Sequence, residues 1–381
     1  MSNKLYKTKY GKWHYDDGVI NLSKEEIDRI NTKENEENTK ALKEILEDGF
    51  VPFPVFFNKN GKLEEGTFYI PDNFVPSCSP DFLEKNGNHF NFYIPSYGRA
   101  ENTLTVKWLK EFNVENYYLA IDPNQYNDYK KYHNKKNIII RDPIFRNEDM
   151  YDMMSGIKSP NSYHGTAGIY NSLLYFSRSM GESHYWTIDD DMIALSMKAR
   201  KKALEPGEEA KYIKDDYYRC SRLEEQYGFS YKEFSKDLEE VMMATRNPGF
   251  LGLEKLGLVF MLPMMFKTGT RCYSFYLTSN KLQPDHRGQH NNDVITSLEN
   301  SKNGLVNFLW EGICYSSGNT QSGGGLTEVY RKFGTLDKGK TLLNAFPDLS
   351  KITFNYNRIH HTVNYTTFNK LRVLGAVKND N

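Results

Sequence analysis

Three consecutive carboxylates, Asp189, Asp190 and Asp191, close an apolar run that reads Tyr185-Trp186-Thr187-Ile188. A strand sends successive side chains to opposite faces, so Asp189 and Asp191 are expected to point one way where it ends, and Asp190 the other. Two like charges held that close repel, and a hard divalent cation relieves the repulsion. Carboxylate oxygens suit Mg²⁺ or Mn²⁺, which keep positions for water and substrate phosphates rather than filling an all-protein cage. A solvated acidic loop after a core strand would carry the same residues, so the neighbouring elements decide between the two.

Those elements alternate. Phe92-Tyr93-Ile94, Tyr117 to Ile121, Ile138-Ile139-Ile140 and Tyr185 to Ile188 read as buried strands, with helical segments near Thr103 to Phe112, Tyr126 to Tyr132 and Gly168 to Met180 between them. Alternation of this kind predicts a parallel, doubly wound α/β sheet, whose ligands bind beyond the carboxyl ends of the strands. Pro95 to Arg99, Asp122, Arg141-Asp142 and the aspartate triplet all fall at those ends. The first strand is followed by Pro95-Ser96-Tyr97-Gly98-Arg99 and not by a glycine-rich phosphate loop. That argues against a P-loop ATPase or kinase and against a dinucleotide dehydrogenase.

Residues 1–88 read as an N-terminal extension with a surface helix, and residues 89–381 as the principal domain. Ser23 and Glu26 form a capping-box signature, Ile27, Ile30, Leu42, Ile45 and Leu46 supply a thin apolar stripe, and Gly49 closes the helix. Extended pieces are expected around Phe50 to Phe57 and Thr67 to Ile70, with Pro71, Pro76 and Pro80 marking a linker.

The 381 residues include 49 basic and 49 acidic ones, a formal charge of zero, so a polyanion would have to be met by a local patch. Lys198, Arg200, Lys201 and Lys202 after the triplet, and Lys267, Arg271, Lys281 and Arg287 farther on, are candidates for phosphate contacts. The first group also suits an ordinary solvated helix face. Cys78, Cys220, Cys272 and Cys314 form no C-x-x-C pair, so neither a zinc site nor a disulfide framework is expected. With no apolar leader and no membrane-length apolar window, the expected setting is the cytoplasm, with no membrane partner.

The residues now assembled resemble those of glycosyltransferases of the GT-A fold, a Rossmann-like mixed sheet flanked by helices. Ile94-Pro95-Ser96-Tyr97-Gly98-Arg99, Gly168-Ile169-Tyr170-Asn171 on a helix and the Asp189-Asp190-Asp191 triplet carry the likeness. It implies that Pro95, Ser96, Tyr97, Arg99, Asp122 and Asn171 meet the nucleotide. Asp189 and Asp190 would meet the ribose and diphosphate, and Asp189 and Asp191 would ligate the metal. Many such enzymes carry an acidic pair before a late helix and a glycine. Here Asn292 stands at the first of those positions and Asp293 at the second, ahead of Gly304. The resemblance makes Asp293 the catalytic base of an inverting reaction, although a carboxylate there also suits a helix cap. It also implies a histidine as third metal ligand, for which His360 and His361 are the tandem candidates, with Arg358 on the diphosphate. Surface histidines would look the same. Gly323-Gly324-Gly325 could approach a ligand closely or form a solvent turn.

From about residue 91 to 365 the chain is similar, more narrowly, to the DNA glycosyltransferases associated with pyrimidine-oxidising dioxygenases. That likeness implies transfer of a sugar from a UDP-sugar, UDP-glucose first, to the hydroxymethyl group of a modified pyrimidine in DNA. A glycan or small-molecule acceptor, and an inactive nucleic-acid-binding scaffold, are the competing expectations.

Overall fold

The computed structural model describes residues 22–77, 80–147, 150–152, 154, 160–161, 166–200, 230–258, 266–280, 284–318, 335–355 and 358–373, together with 5–7, 13–15, 207 and 217–220. β1 (Leu5–Lys7) and β2 (Trp13–Tyr15) pair with each other. The central feature is a mixed sheet built around four strands, β5 (Phe92–Pro95), β6 (Tyr117–Ile121), β7 (Ile138–Arg141) and β8 (His184–Ile188). They run parallel in the order β8-β5-β6-β7. These are the four strands that the apolar runs predict.

Their side chains divide between two cores with the two-residue period of a strand. Phe92, Ile94, Tyr117, Leu119, Ile121, Ile138, Ile140, Trp186 and Ile188 join one core, and Tyr93, Tyr118, Ala120, Ile139 and Tyr185 the other. Helix α3 (Leu104–Glu111) covers the first face with Val106, Trp108 and Leu109. On the second face α5 (Ala167–Ser179) packs Leu173, Leu174 and Phe176. A sheet covered on both faces explains why the strands are apolar throughout and not alternating.

Beyond β8 the sheet turns antiparallel. β13 (Phe275–Ser279) pairs with β8, placing Phe275 opposite Ile188, and β11 (Pro248–Lys255) pairs with β13. β14 (Val306–Ser317) then runs parallel to β11 and antiparallel to β9 (Met192–Arg200), which pairs with β10 (Tyr217–Cys220). β12 (Phe266–Thr268) adds to β14. A separate hairpin of β15 (Ser350–Asn355) and β16 (Arg358–Val363) follows.

The N-terminal segment before residue 89 adds two strands to this sheet. β3 (Phe50–Lys59) and β4 (Lys62–Pro71) form a hairpin, and β4 pairs with β7 through Phe68 opposite Arg141. Val55, Phe57, Phe68 and Ile70 are buried in the second core. The extended pieces expected here are strands, and Pro52 and Pro54 are accommodated because β3 is the outermost strand, where a missing N–H facing solvent costs no ladder bond. Of the prolines expected to mark a linker, Pro71 is the last residue of β4 and Pro80 the first of a short helix, Pro80–Asn86. Helix α1 (Lys24–Glu47) has the expected reciprocal cap: the Ser23 N–H donates to Glu26 at 2.8 Å and the Glu26 N–H to Ser23 Oγ at 3.2 Å. Among the described residues no helix is long and apolar enough to cross a membrane.

Candidate active site

The aspartate triplet forms the turn between β8 and β9, and Thr105 at the start of α3 clamps it. Its hydroxyl donates to the Asp189 carbonyl and accepts from the Met192 N–H at 2.9 Å, while its own N–H reaches the Asp190 carbonyl at 3.3 Å. From the other side, the Asp189 N–H donates to the Ser274 carbonyl at 2.7 Å. Ser274 sits in the left-handed region at φ 47°, inside a turn closed by the Phe275 N–H donating to the Tyr273 carbonyl. A non-glycine residue held there is strained, and such strain persists only where the surroundings impose it.

The three carboxylates have different partners. Asp189 accepts from the Tyr170 hydroxyl at 2.9 Å. Asp190 is buried, accepts from Ser96 Oγ at 2.5 Å and pairs with the Arg99 guanidinium. Asp191, partly exposed, lies 3.6 Å from the same guanidinium. Asp190 thus takes the separate role that strand alternation predicts. Burial, and then the charge of Asp191, push the Asp189 carboxyl up to about 7. Burial also raises Asp190, against the opposing pull of Arg99. For Arg99 burial acts downward, and the attraction of Asp190, Asp191 and Asp189 outweighs it.

Beside the triplet, the loop after β5 and the ends of β6 and β7 form a second polar group. Pro95 ends β5 opposite Ala120, and the Ser96 hydroxyl also meets Tyr129 Oη at 2.6 Å. Gly98, at φ 67°, turns the chain so that its N–H donates to Gln125 Oε1 at 3.0 Å. Asp122 is buried between two guanidiniums, Arg141 at 2.6 Å and Arg146 on its other oxygen. Burial raises the Asp122 carboxyl, but the two arginines outweigh that and hold it below the ordinary range. Arg146 also stacks over the half-exposed Tyr97 ring, 4.7 Å from its centroid.

The third group surrounds Asp293. Asn291 adopts a left-handed conformation (φ 58°) ahead of the helix Asn292–Lys302, so Asp293 stands in the first helical turn. The Val294 N–H donates to Asp293 Oδ1 at 2.8 Å, so the carboxylate does contribute to the cap. Burial raises its carboxyl, with Lys338 and Arg271 opposing. Asn291 donates to the Lys338 carbonyl at 2.7 Å and approaches His361 Nδ1 at 3.4 Å. Burial, then Lys338, His360 and Arg271, hold His361 down to about 3. The ring of His360 accepts from the His361 N–H at 2.9 Å. The tandem histidines therefore sit on the Asp293 side. Among the described residues no group of three or more His, Cys, Asp or Glu is placed to hold a metal, so neither histidine is gathered with Asp189 and Asp191 into such a group.

Helix α5 connects the groups. Thr166, at its N-terminus, donates to Asn292 Oδ1, Tyr170 reaches Asp189, and Asn171 exchanges two hydrogen bonds with the His286 backbone, at 3.0 and 2.6 Å. Asn171 is buried and its amide is engaged there. Gly168 lets the helix lie against the Phe145 carbonyl: a Cβ at that position would stand 2.1 Å from the oxygen.

Thr105, Arg146 and Ser274 were not singled out by sequence reasoning, and Tyr170 was quoted only within the Gly168 to Asn171 motif, without a role. Hydroxyls and a lone arginine on separate elements share no spacing that marks them. Of the expected basic contacts, Arg287 pairs with Asp152 and Glu299 at 2.8 and 2.9 Å, Lys267 pairs with Glu311, and Arg271 lies over the Tyr273 and Tyr365 rings. The side chains of Lys198, Arg200 and Arg358, and residues Lys201, Lys202, Lys281 and Gly323 to Gly325, lie outside the described residues.

A mixed sheet flanked by helices, with carboxylates, hydroxyls and arginines collected at the ends of its parallel strands, is consistent with a glycosyltransferase fold. The chain belongs to the TET-associated glycosyltransferases, DNA glycosyltransferases linked to pyrimidine dioxygenases; the family model matches residues 90–325, well over half of its length. It is a glycosyltransferase. No curated protein and no solved structure matches the chain.

Proposed function

We propose that this glycosyltransferase moves a hexose from a UDP-sugar, UDP-glucose first, to the hydroxymethyl group of 5-hydroxymethylcytosine or 5-hydroxymethyluracil in DNA, with inversion and with Mn²⁺ or Mg²⁺ on the donor. The observation that carries this reading is the aspartate turn. Asp190 is buried and paired with Arg99, whereas Asp189 and Asp191 remain partly exposed side by side, and burial first, then the charge of Asp191, raises the Asp189 carboxyl. Hard oxygen donors with unrelieved repulsion fit a divalent cation. When bound, such an ion would absorb charge that develops on the diphosphate leaving group.

The remaining steps belong to the chain's own groups. Arg99 adds positive charge beside Asp191 on the leaving-group side. Tyr97, backed by Arg146, offers an aromatic face to a base, and Asp122 holds Arg146 in place. On the acceptor side Asp293 takes the hydroxyl proton. Burial raises its carboxyl and so makes it a stronger base than a free carboxylate, against the opposing charges of Lys338 and Arg271. The family supports DNA as the acceptor over a glycan or a small molecule. The test is mass spectrometry of hydroxymethylated duplex and single-stranded DNA incubated with a panel of sugar nucleotides, with and without Mn²⁺. A hexose mass on the DNA from a UDP-sugar supports the reading. Transfer to glycans alone refutes the acceptor, and undiminished transfer in chelator refutes the metal.

A further inference from the structure

Asp189 differs from Asp190 in what holds it. Asp190 is fixed by a guanidinium, which also neutralises it. Asp189 is fixed by neutral groups: the Tyr170 hydroxyl donates to its carboxylate at 2.9 Å, and the Ser274 carbonyl accepts from its backbone N–H at 2.7 Å. A hydroxyl aims a carboxylate through one donated proton without bringing a positive charge to it. Such a carboxylate keeps a fixed direction and is left to be neutralised by a cation.

Both supports of Asp189 are unusually constrained. The Tyr170 ring is buried, 5.3 Å from the His286 ring and 6.3 Å from that of Tyr276. The reciprocal Asn171–His286 bonds and the close approach of Gly168 to Phe145 pin its helix. Ser274 is held at φ 47°, with its carbonyl accepting from the Asp189 N–H at 2.7 Å. The same helix, through Thr166, is bonded to Asn292, the residue before Asp293. A side chain whose supports are locked in this way is placed to tenths of an ångström, which a reacting constellation requires.

We propose that the Tyr170 hydroxyl and the Ser274 turn form a clamp that positions Asp189 toward the donor diphosphate and its divalent cation. The inference rests on the reading of Asp189 as a donor-side ligand. The clamp residues are positioning residues, since they act through Asp189 and not on the substrate. Partners of metal-binding carboxylates carry part of the affinity, and their loss typically weakens binding by about 10- to 100-fold.

Isothermal titration of Mn²⁺ into the full chain in the presence of UDP reads this directly, without turnover. Tyr170→Phe keeps the ring and removes only the hydroxyl; it is expected to weaken Mn²⁺ binding by at least about tenfold. The donor KM should rise in step and the acceptor KM should stay unchanged. Ser274→Val, whose branched side chain resists the φ of 47° that the turn needs, is expected to act in the same direction, and it stands in for Tyr170→Phe should thermal melting show that the latter is unfolded. Wild-type affinity in a folded Tyr170→Phe overturns the clamp, as does wild-type affinity in Ser274→Val if Tyr170→Phe fails to fold. If the wild-type protein itself binds no Mn²⁺ or Mg²⁺ with UDP, the donor-site reading fails and takes this inference with it.

Discussion

Arg99 and Asp190 form an ion pair that joins the loop after β5 to the turn after β8, and the same guanidinium stands 3.6 Å from Asp191. One cation thereby serves two of three adjacent carboxylates. Asp190 also accepts from Ser96, so the first and fourth parallel strands are tied at their carboxyl ends, where the donor is expected. Asp190 is in this sense the structural member of the triplet, and its partners leave Asp189 and Asp191 to do chemistry.

Removing Arg99 should therefore destabilise the protein as well as impair it. Arg99→Gln strands a buried carboxylate, a change that commonly costs about 3–5 kcal/mol. Urea denaturation should show a loss of that order. Adding Asp190→Asn should recover part of it, because the uncompensated charge is gone. Equal stability of Arg99→Gln and wild type would show that the pair is solvated.

Asp191 and Asp293 should separate binding from transfer. Asp191→Ala is expected to abolish metal-dependent donor binding, because it removes a partly exposed carboxylate whose contact with Arg99, at 3.6 Å, is the longer of that guanidinium's two. Asp293→Asn should bind donor normally and slow transfer by about 10²- to 10⁴-fold, the usual worth of a positioned base. Calorimetry and single-turnover rates distinguish the two. Retained turnover in both variants would remove the assigned roles.

The strands and the triplet were legible because burial on both faces leaves apolar runs too short for helices, and because the two-residue period assigns Asp190 a different side from Asp189. The extended pieces of the edge hairpin were legible as well, but their place in the sheet was not, because the pairing of Phe68 with Arg141 joins residues far apart in the sequence. Asp122 and Asn171 show another limit. Residue type marks them as polar groups at ligand-binding positions, yet their partners, Arg141, Arg146 and the His286 backbone, come from other elements. Only the folded chain reveals that these polar atoms are engaged internally. Tyr170 and Ser274 are the converse: nothing local distinguishes them from core tyrosines and turn serines.

Gly168 offers a test of how far the placement of α5 matters. A methyl group there would meet the Phe145 carbonyl at 2.1 Å, so Gly168→Ala must displace the helix or the segment that carries Arg146. Overpacking of this kind costs about 1–3 kcal/mol. The donor KM should rise as well, since Tyr170 and Arg146 both move. Gly181→Ala is the control: it has a positive φ of 78° but no neighbour within 4 Å, so it should lower the melting temperature without changing the donor KM. A donor KM unaffected by Gly168→Ala would mean that the helix yields without disturbing the site.

His286 gives the fold an acid sensitivity that one substitution can isolate. Its ring is buried, bonded to Thr296 Oγ1 at 3.0 Å, and burial followed by the charge of Arg178 lowers its pKa from 6.5 to about 3. Between those values the unfolded chain carries the proton and the folded chain does not. The stability that His286 contributes is thus complete above pH 6.5 and is lost progressively as pH falls toward the folded value. Buried acids with raised pKa values, Asp189 among them, act in the opposite direction, so the total pH profile mixes signs. Comparison with His286→Gln removes that ambiguity, because every other group is common to both proteins. The variant should be the less stable at pH 8. The gap should narrow by up to about 1.4 kcal/mol for each pH unit below about 6. Urea midpoints for both proteins from pH 8 to pH 4.5 measure it, and a gap independent of pH would mean that His286 titrates normally and that solvent reaches its ring.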